Sequence, residues 1–216
     1  MNVRALVAEF LGVFALCFVG IGATAATQGA DLMAVALAHG LAIGLSVVAL
    51  GAISGAHFNP AVTFGLLITG RMTLAGAAGY WLAQFLGGLV AAFFIGALYG
   101  GSAVAEGTPA LGPNHSPIQA LMMEVFLTFF LVSVIFGSAV YNRFSYAGLA
   151  IGLAVTMGIL AGGAVSGAAM NPARVLGPAL MGGEWAAHWV YWVGPLVGAG
   201  LAAFLYDFLY SKPREN

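Results

Sequence analysis

Two stretches of the chain, Ile53-Ser-Gly-Ala-His-Phe-Asn-Pro-Ala61 and Val165-Ser-Gly-Ala-Ala-Met-Asn-Pro-Ala173, are near copies, and each opens a short apolar segment. Those segments, about 59–68 and 171–181, are half as long as a bilayer requires. A spanning helix needs roughly 20 consecutive apolar residues. Six other segments meet that length: about 5–26, 32–53, 76–100, 118–140, 146–165 and 187–210. The first, from about Leu6, is too long for the core of a cleaved signal and is read as a span. Hydrophobic residues make up 62% of the chain and charged residues 6%, too few to cover a water-facing surface, so lipid is its solvent. The 32 glycines fit that solvent, because membrane helices associate through small residues that let backbones approach. The expected fold is all-α: six transmembrane helices plus two re-entrant half-helices, in one membrane domain over 1–216.

The halves, approximately 1–110 and 111–216, repeat. Tyr80, Trp81, Gly87, Ala91, Ala92, Phe93, Leu98 and Tyr99 recur as Tyr191, Trp192, Gly198, Ala202, Ala203, Phe204, Leu209 and Tyr210. Glu9 and Glu124 stand near the start of each half's first span. Three spans per half is an odd number, so the halves enter the membrane from opposite faces. In such inverted repeats, short hydrophobic segments at matching places point to the functional site. Six spans put both ends of the chain on one side, together with Arg4, Arg71, Arg143, Lys212 and Arg214, while Asp31, Glu106 and Glu184 fall on the other. By the positive-inside rule the termini are cytoplasmic.

Asparagine is a favoured N-cap and proline a favoured first helical residue, so Asn59-Pro60-Ala61 and Asn171-Pro172-Ala173 read as starts of helices inside the membrane. Irregular backbone at that depth is tolerated only where protein buries it or a watery cavity meets it. If each Asn oxygen caps its own helix, each NH2 remains as a donor to the lumen. Two helix N-termini pointing at one spot create a positive potential that repels cations and protons. That site suits neutral, hydrogen-bonding solutes.

The stretches Ser54-Gly-Ala-His-Phe-Asn-Pro-Ala-Val-Thr63 and Ser166-Gly-Ala-Ala-Met-Asn-Pro-Ala-Arg-Val-Leu-Gly-Pro178, with His188-Trp-Val-Tyr-Trp-Val-Gly-Pro195, resemble the signature of the aquaporin (major intrinsic protein) family over the whole chain. The resemblance implies a right-handed bundle, a passive pore for water in each subunit, and a homotetramer. It also implies that Arg174, an intramembrane cation, lines an extracellular constriction. Its other filter positions then fall on His39, Ile159 and Ala168. This set is similar to that of plant vacuolar-membrane aquaporins, some of which also pass ammonia or hydrogen peroxide. His39 reads alternatively as a satisfied core histidine. Glycerol-conducting relatives carry Asp, Lys and Pro-Leu where this chain has Val175, Ala179 and Tyr191-Trp192, so glycerol is disfavoured.

Other polar residues leave two readings open. Glu9 and Glu124 read as anchors for the re-entrant loops or as a proton relay, and the loops' free N–H groups favour anchoring. His57 reads as a gate or as packing of the cytoplasmic loop. His115 reaches over the mouth near Arg174, as in some vacuolar-type relatives, or is simply solvated. His188, with Trp185, Trp189 and Trp192, fits an interfacial anchor. The four histidines and single Cys17 lack metal-ligand spacing, and no cofactor motif appears. A net charge of −1 argues against nucleic acid. Short termini and compact loops suggest a prokaryotic cytoplasmic membrane. A secondary transporter would share inverted repeats and broken helices but would need a titrating residue at mid-membrane. An adhesive membrane protein and an enzyme find no support in these residues.

Overall fold

The computed structural model describes residues 2–210; Lys212 and Arg214 lie outside the described residues. Among the described residues the helices are α1 (Val3–Thr27), α2 (Leu32–Ser54), α3 (Pro60–Ile68), α4 (Leu74–Tyr99), α5 (Gly101–Gly107), α6 (Pro117–Ile135), α7 (Ala147–Ser166), α8 (Pro172–Gly182) and α9 (Val190–Tyr210). A π-helical segment, Phe136–Tyr141, extends α6. With it, α6 joins α1, α2, α4, α7 and α9 as the six helices long and apolar enough to cross a membrane. The half-helices α3 and α8 carry the Asn-Pro-Ala triplets at their N-termini. Helix α5 and the π segment were not legible in the sequence: α5 has only seven residues, and hydropathy does not separate α from π winding.

The two halves pack alike. Helix α1 lies along α4 as α6 lies along α9, and α1 meets α2 as α6 meets α7. Each half-helix then crosses over, α8 packing on α4 and α3 on α9. At matching places the crossings depend on glycine. A Cβ on Gly87 would lie 2.4 Å from the Phe10 carbonyl oxygen, and one on Gly198 would lie 2.3 Å from that of Val125. Helices α2 and α7 close the bundle through a mutual approach, since a Cβ on Gly40 would stand 2.5 Å from the Gly152 oxygen and the converse pair is also at 2.5 Å. Lipid supplies no hydrophobic pressure between helices, so these backbone approaches carry much of the packing. Leucines and phenylalanines such as Leu82, Leu98, Phe93, Phe126 and Phe208 face outward, as a lipid-facing exterior requires.

Gly152→Leu should therefore force α2 and α7 apart, costing about 1–3 kcal/mol or more by overpacking. Gly22→Ala should be near neutral, because its Cβ would meet only Ile95 Cδ1 at 3.6 Å. Thermal denaturation of both variants in detergent checks the contrast.

Candidate functional site: a conduit between two facing half-helices

The loops that lead into α3 and α8 are built the same way. Gly55 and Gly167, then Ala56 and Ala168, then Phe58 and Met170, all have positive φ, a conformation that costs non-glycine residues energy. Something must hold them. In the first half Glu9, fully buried on α1, accepts from Ser54 Oγ (2.7 Å) and the His57 N–H (3.0 Å) on Oε1, and from the Phe58 N–H (2.7 Å) and Gln84 Nε2 (2.7 Å) on Oε2. In the second, Glu124 on α6 accepts from Ser166 Oγ (2.7 Å) and the Ala169 N–H (2.8 Å) on Oε1 and from the Met170 N–H (2.7 Å) on Oε2. Each carboxylate so satisfies amides that no helix or sheet can reach. Tyr80 adds a hydrogen bond from its hydroxyl to the Ser54 carbonyl (2.7 Å), and Trp81 Nε1 donates to the Pro60 carbonyl (3.1 Å).

The Asn-Pro-Ala triplets meet where the half-helices begin. Asn59 Oδ1 accepts from the Ala61 N–H (2.8 Å), and Asn171 Oδ1 from those of Ala173 (2.9 Å) and Arg174 (3.3 Å), so each oxygen caps its own helix. The amide nitrogens cross between halves: Asn59 Nδ2 donates to the Met170 carbonyl (2.7 Å) and Asn171 Nδ2 to that of Phe58 (2.8 Å). Here the structure refines the sequence expectation. An NH2 carries two hydrogens, and one of each is spent bracing the opposite loop, leaving one per asparagine for the lumen.

A narrow conduit runs past this point, with a central volume of ≈ 30 Å³, room for about two waters at 10–15 Å³ each. Its wall combines Asn59, Asn171 and the backbone of 56–58 and 168–170 with the apolar side chains Leu16, Ile43, Val47, Val62, Leu131, Ile135, Ile151, Val155 and Ile159. Toward the α5 side it widens into a vestibule bordered by Glu106, Thr108, Pro109, Ala110, Ile159 and Arg174. Toward the other side it widens past His57, Val62, Arg71, Ile135 and Arg143. Shared residues join these sections end to end: Ile159 and Arg174 on the α5 side, and Ala56, His57, Val62 and Ile135 on the other.

Arg174 is buried (7% exposed) and its Nη1 donates to the carbonyls of Gly167 (3.3 Å) and Ala168 (3.0 Å). No carboxylate pairs with it among the described residues. Arg174, Ile159 and Ala168 border one stretch of conduit. His39 is as deeply buried as Ile159 and Ala168. Its ring is 1% exposed, Nδ1 donates to the Val35 carbonyl (2.8 Å), and Nε2 lies unpartnered against Gly20. His115 sits in the loop that packs Gly112 on Val165, and no contact joins it to Arg174 among the described residues. His188 lies between Trp185 and the start of α9, and burial there lowers its imidazole pKa below the usual range.

Sequence reasoning missed the apolar wall. Its signal was available, because Val62 stands at the same offset from Asn59 as Arg174 from Asn171, and Val47 and Ile43 match Ile159 and Val155. It also missed Thr108–Ala110 over the mouth on the α5 side, which nothing short of the packed α5 could place. Among the described residues no cluster of His, Cys, Asp or Glu could hold a metal ion.

Six spans and two facing half-helices around a through-going conduit define a multi-pass membrane channel, not an enzyme. The major intrinsic protein family profile matches residues 1–206, and the chain belongs to that family, the aquaporins. It is 40% identical to aquaporin TIP2-1 of Arabidopsis thaliana over 228 residues, covering 100% of this chain and 90% of that one. It is 45% identical to aquaporin TIP4-4 of Zea mays, with 96% and 87% covered. Among solved structures it resembles the aquaglyceroporin from Plasmodium falciparum, with a TM-score of 0.85, 29% identity and 96% of each chain covered. The curated relatives are plant proteins, so the sequence-based expectation of a prokaryotic cytoplasmic membrane finds no support in them.

Glu124→Gln tests the loop anchor. One carboxylate oxygen becomes an NH2 that must face a donor, which should cost about 1–3 kcal/mol for each N–H left unpaired. Thermal denaturation in detergent should show Glu124→Gln clearly below the wild type and Glu124→Ala lower still.

Proposed function

We propose that the protein is a passive water channel that also passes ammonia or hydrogen peroxide and excludes protons and ions. The observation that carries this reading is the pair of asparagine amides at the joined N-termini of α3 and α8, set in an otherwise apolar conduit. Each amide offers one hydrogen to a passing water oxygen, and the two helix dipoles disfavour cations there. The unpaired Arg174 adds a second positive point toward one mouth.

Ile159, Ala168 and Arg174 act as the filter together with His39, whose ring packs against Gly20. Val175, Ala179 and Tyr191-Trp192, where glycerol-conducting relatives carry Asp, Lys and Pro-Leu, speak against glycerol, although the structural neighbour is named an aquaglyceroporin. His57 at one mouth and His115 above the other are candidate modulators of flow. The termini are cytoplasmic, and the halves 1–110 and 111–216 form one domain that assembles as a homotetramer. Leu41, Leu45, Val48, Leu149 and Leu153 flank the α2–α7 groove as an apolar face that a second subunit would cover. A channel rather than a transporter follows from neutral asparagines at the narrow centre.

Stopped-flow swelling of proteoliposomes tests this, with an ammonium gradient and an internal pH dye in the same vesicles. Fast, non-saturating water flux of low activation energy is expected; saturable flux would favour a transporter, and flux equal to empty liposomes would sink the reading. Asn171→Asp keeps an N-cap oxygen but replaces a donor with an anion. Water flux should drop about ten- to a hundredfold, since a hydrogen bond involving a charge is worth roughly 1.5–3 kcal/mol. His39→Phe should lower ammonia flux more than water flux, and equal loss would remove His39 from the filter.

A further inference from the structure

The two halves differ sharply at one place. Behind the second re-entrant loop lie Ala169, Val175 and Tyr191, a small apolar cluster separate from the main core. Their repeat counterparts in the first half are His57, Thr63 and Tyr80, and the counterpart of Pro195 is Gln84. There the same space holds a chain of hydrogen bonds. Gln84 Nε2 donates to Glu9 Oε2 (2.7 Å) and to Thr63 Oγ1 (3.1 Å), and Thr63 Oγ1 lies 3.0 Å from His57 Nδ1. The second half proves that the loop, its anchor and its capped helix form with alanine and valine at these positions. The second half's architecture stands without such a polar chain.

Proton bookkeeping along the chain favours one arrangement, because the other leaves the Thr63 hydroxyl hydrogen without an acceptor. The Gln84 amide must turn its nitrogen to Glu9, because a carbonyl there would face a carboxylate. That orientation leaves Gln84 Oε1 buried without a donor, a standing cost that the site accepts. Thr63 Oγ1 then accepts from Gln84, and its own hydrogen has no acceptor among the described residues except His57 Nδ1. His57 is left with its hydrogen on Nε2. That nitrogen has no protein partner among the described residues and is not sealed from solvent, and His57 borders both the conduit and the wider mouth beside Arg71.

We propose that Thr63 and Gln84 are positioning residues that hold His57 in the Nε2–H tautomer, so that this end of the conduit presents a fixed hydrogen-bond donor that the Ala169 half lacks. A water file then meets donors from His57, from the two asparagines and from Arg174, with apolar wall between. Each donor takes a water oxygen, so the order of waters is set at defined stations along the path. The inference rests on the reading of the conduit as a water path, but the tautomer itself can be observed without any flux.

The test is ring-nitrogen NMR of 15N-histidine protein in lipid bilayers near neutral pH, with His57→Ala identifying the His57 signals by their loss. The wild type should show protonated Nε2 and bare Nδ1. Thr63→Val, which copies the second half's Val175, should relax the tautomer ratio by about fivefold, the worth of one neutral hydrogen bond. Water permeability should fall with it, and Thr63→Ser should restore both. A wild-type His57 carrying its proton on Nδ1 overturns the proposal, and this holds even if Thr63→Val does not fold. So does a folded Thr63→Val with the wild-type tautomer, or with a relaxed tautomer and unchanged water flux. A wild type with the expected tautomer but no swelling above empty liposomes would instead overturn the water-path reading and, with it, the role given to the donor.

Discussion

Two buried carboxylates make the rest of this structure admissible. A loop that stops in the middle of a bilayer strips its backbone of both helix and water, and each unpaired amide then costs several kcal/mol. Glu9 and Glu124 meet the amides of 57–58 and 169–170 with oxygens that can only accept when ionised. They reach across from α1 and α6, the first helix of each half, so the re-entrant loops cannot form until the bundle does. The positive-φ residues between serine and asparagine are sustained by the same contacts. In this protein the costly local geometry and the global packing support one another.

From that support follows the division of labour at the centre. Because the carboxylates take the loop amides, the asparagine side chains are free to cap their own helices and to brace the opposite loop. The cross-bonds from Asn59 to Met170 and from Asn171 to Phe58 fasten the halves where the two helix ends would otherwise repel. Carbonyls at 167 and 168 in turn take the Arg174 guanidinium, which borders the narrow stretch without a carboxylate partner among the described residues. Packing and recognition thus use the same short segments of chain.

The internal repeat also sets a standard of comparison inside one molecule. Where both halves keep a feature, as with the glycine contacts at 87 and 198 or the anchors at 9 and 124, architecture explains it. Where they part, as at Val62 against Arg174 or His57 against Ala169, architecture does not, and the difference belongs to the direction of the conduit. One end carries a guanidinium, while the matching position at the other end is a valine.

Six spans, two half-helices and their inverted pairing were legible in the sequence because lipid imposes a length on every apolar segment and because the two Asn-Pro-Ala stretches are near copies. The capping role of each asparagine oxygen was legible for the same reason: it is local. What packing alone decided is everything that depends on distance across the bundle. Ile159 lines the conduit and His39 packs its ring against Gly20, neighbours that no single apolar-helix position announces. The second hydrogen of each asparagine, the four donors on Glu9 and the chain from Gln84 to His57 join residues tens of positions apart. No periodicity records such contacts; they exist only once two backbones have come close enough to exclude lipid and water alike.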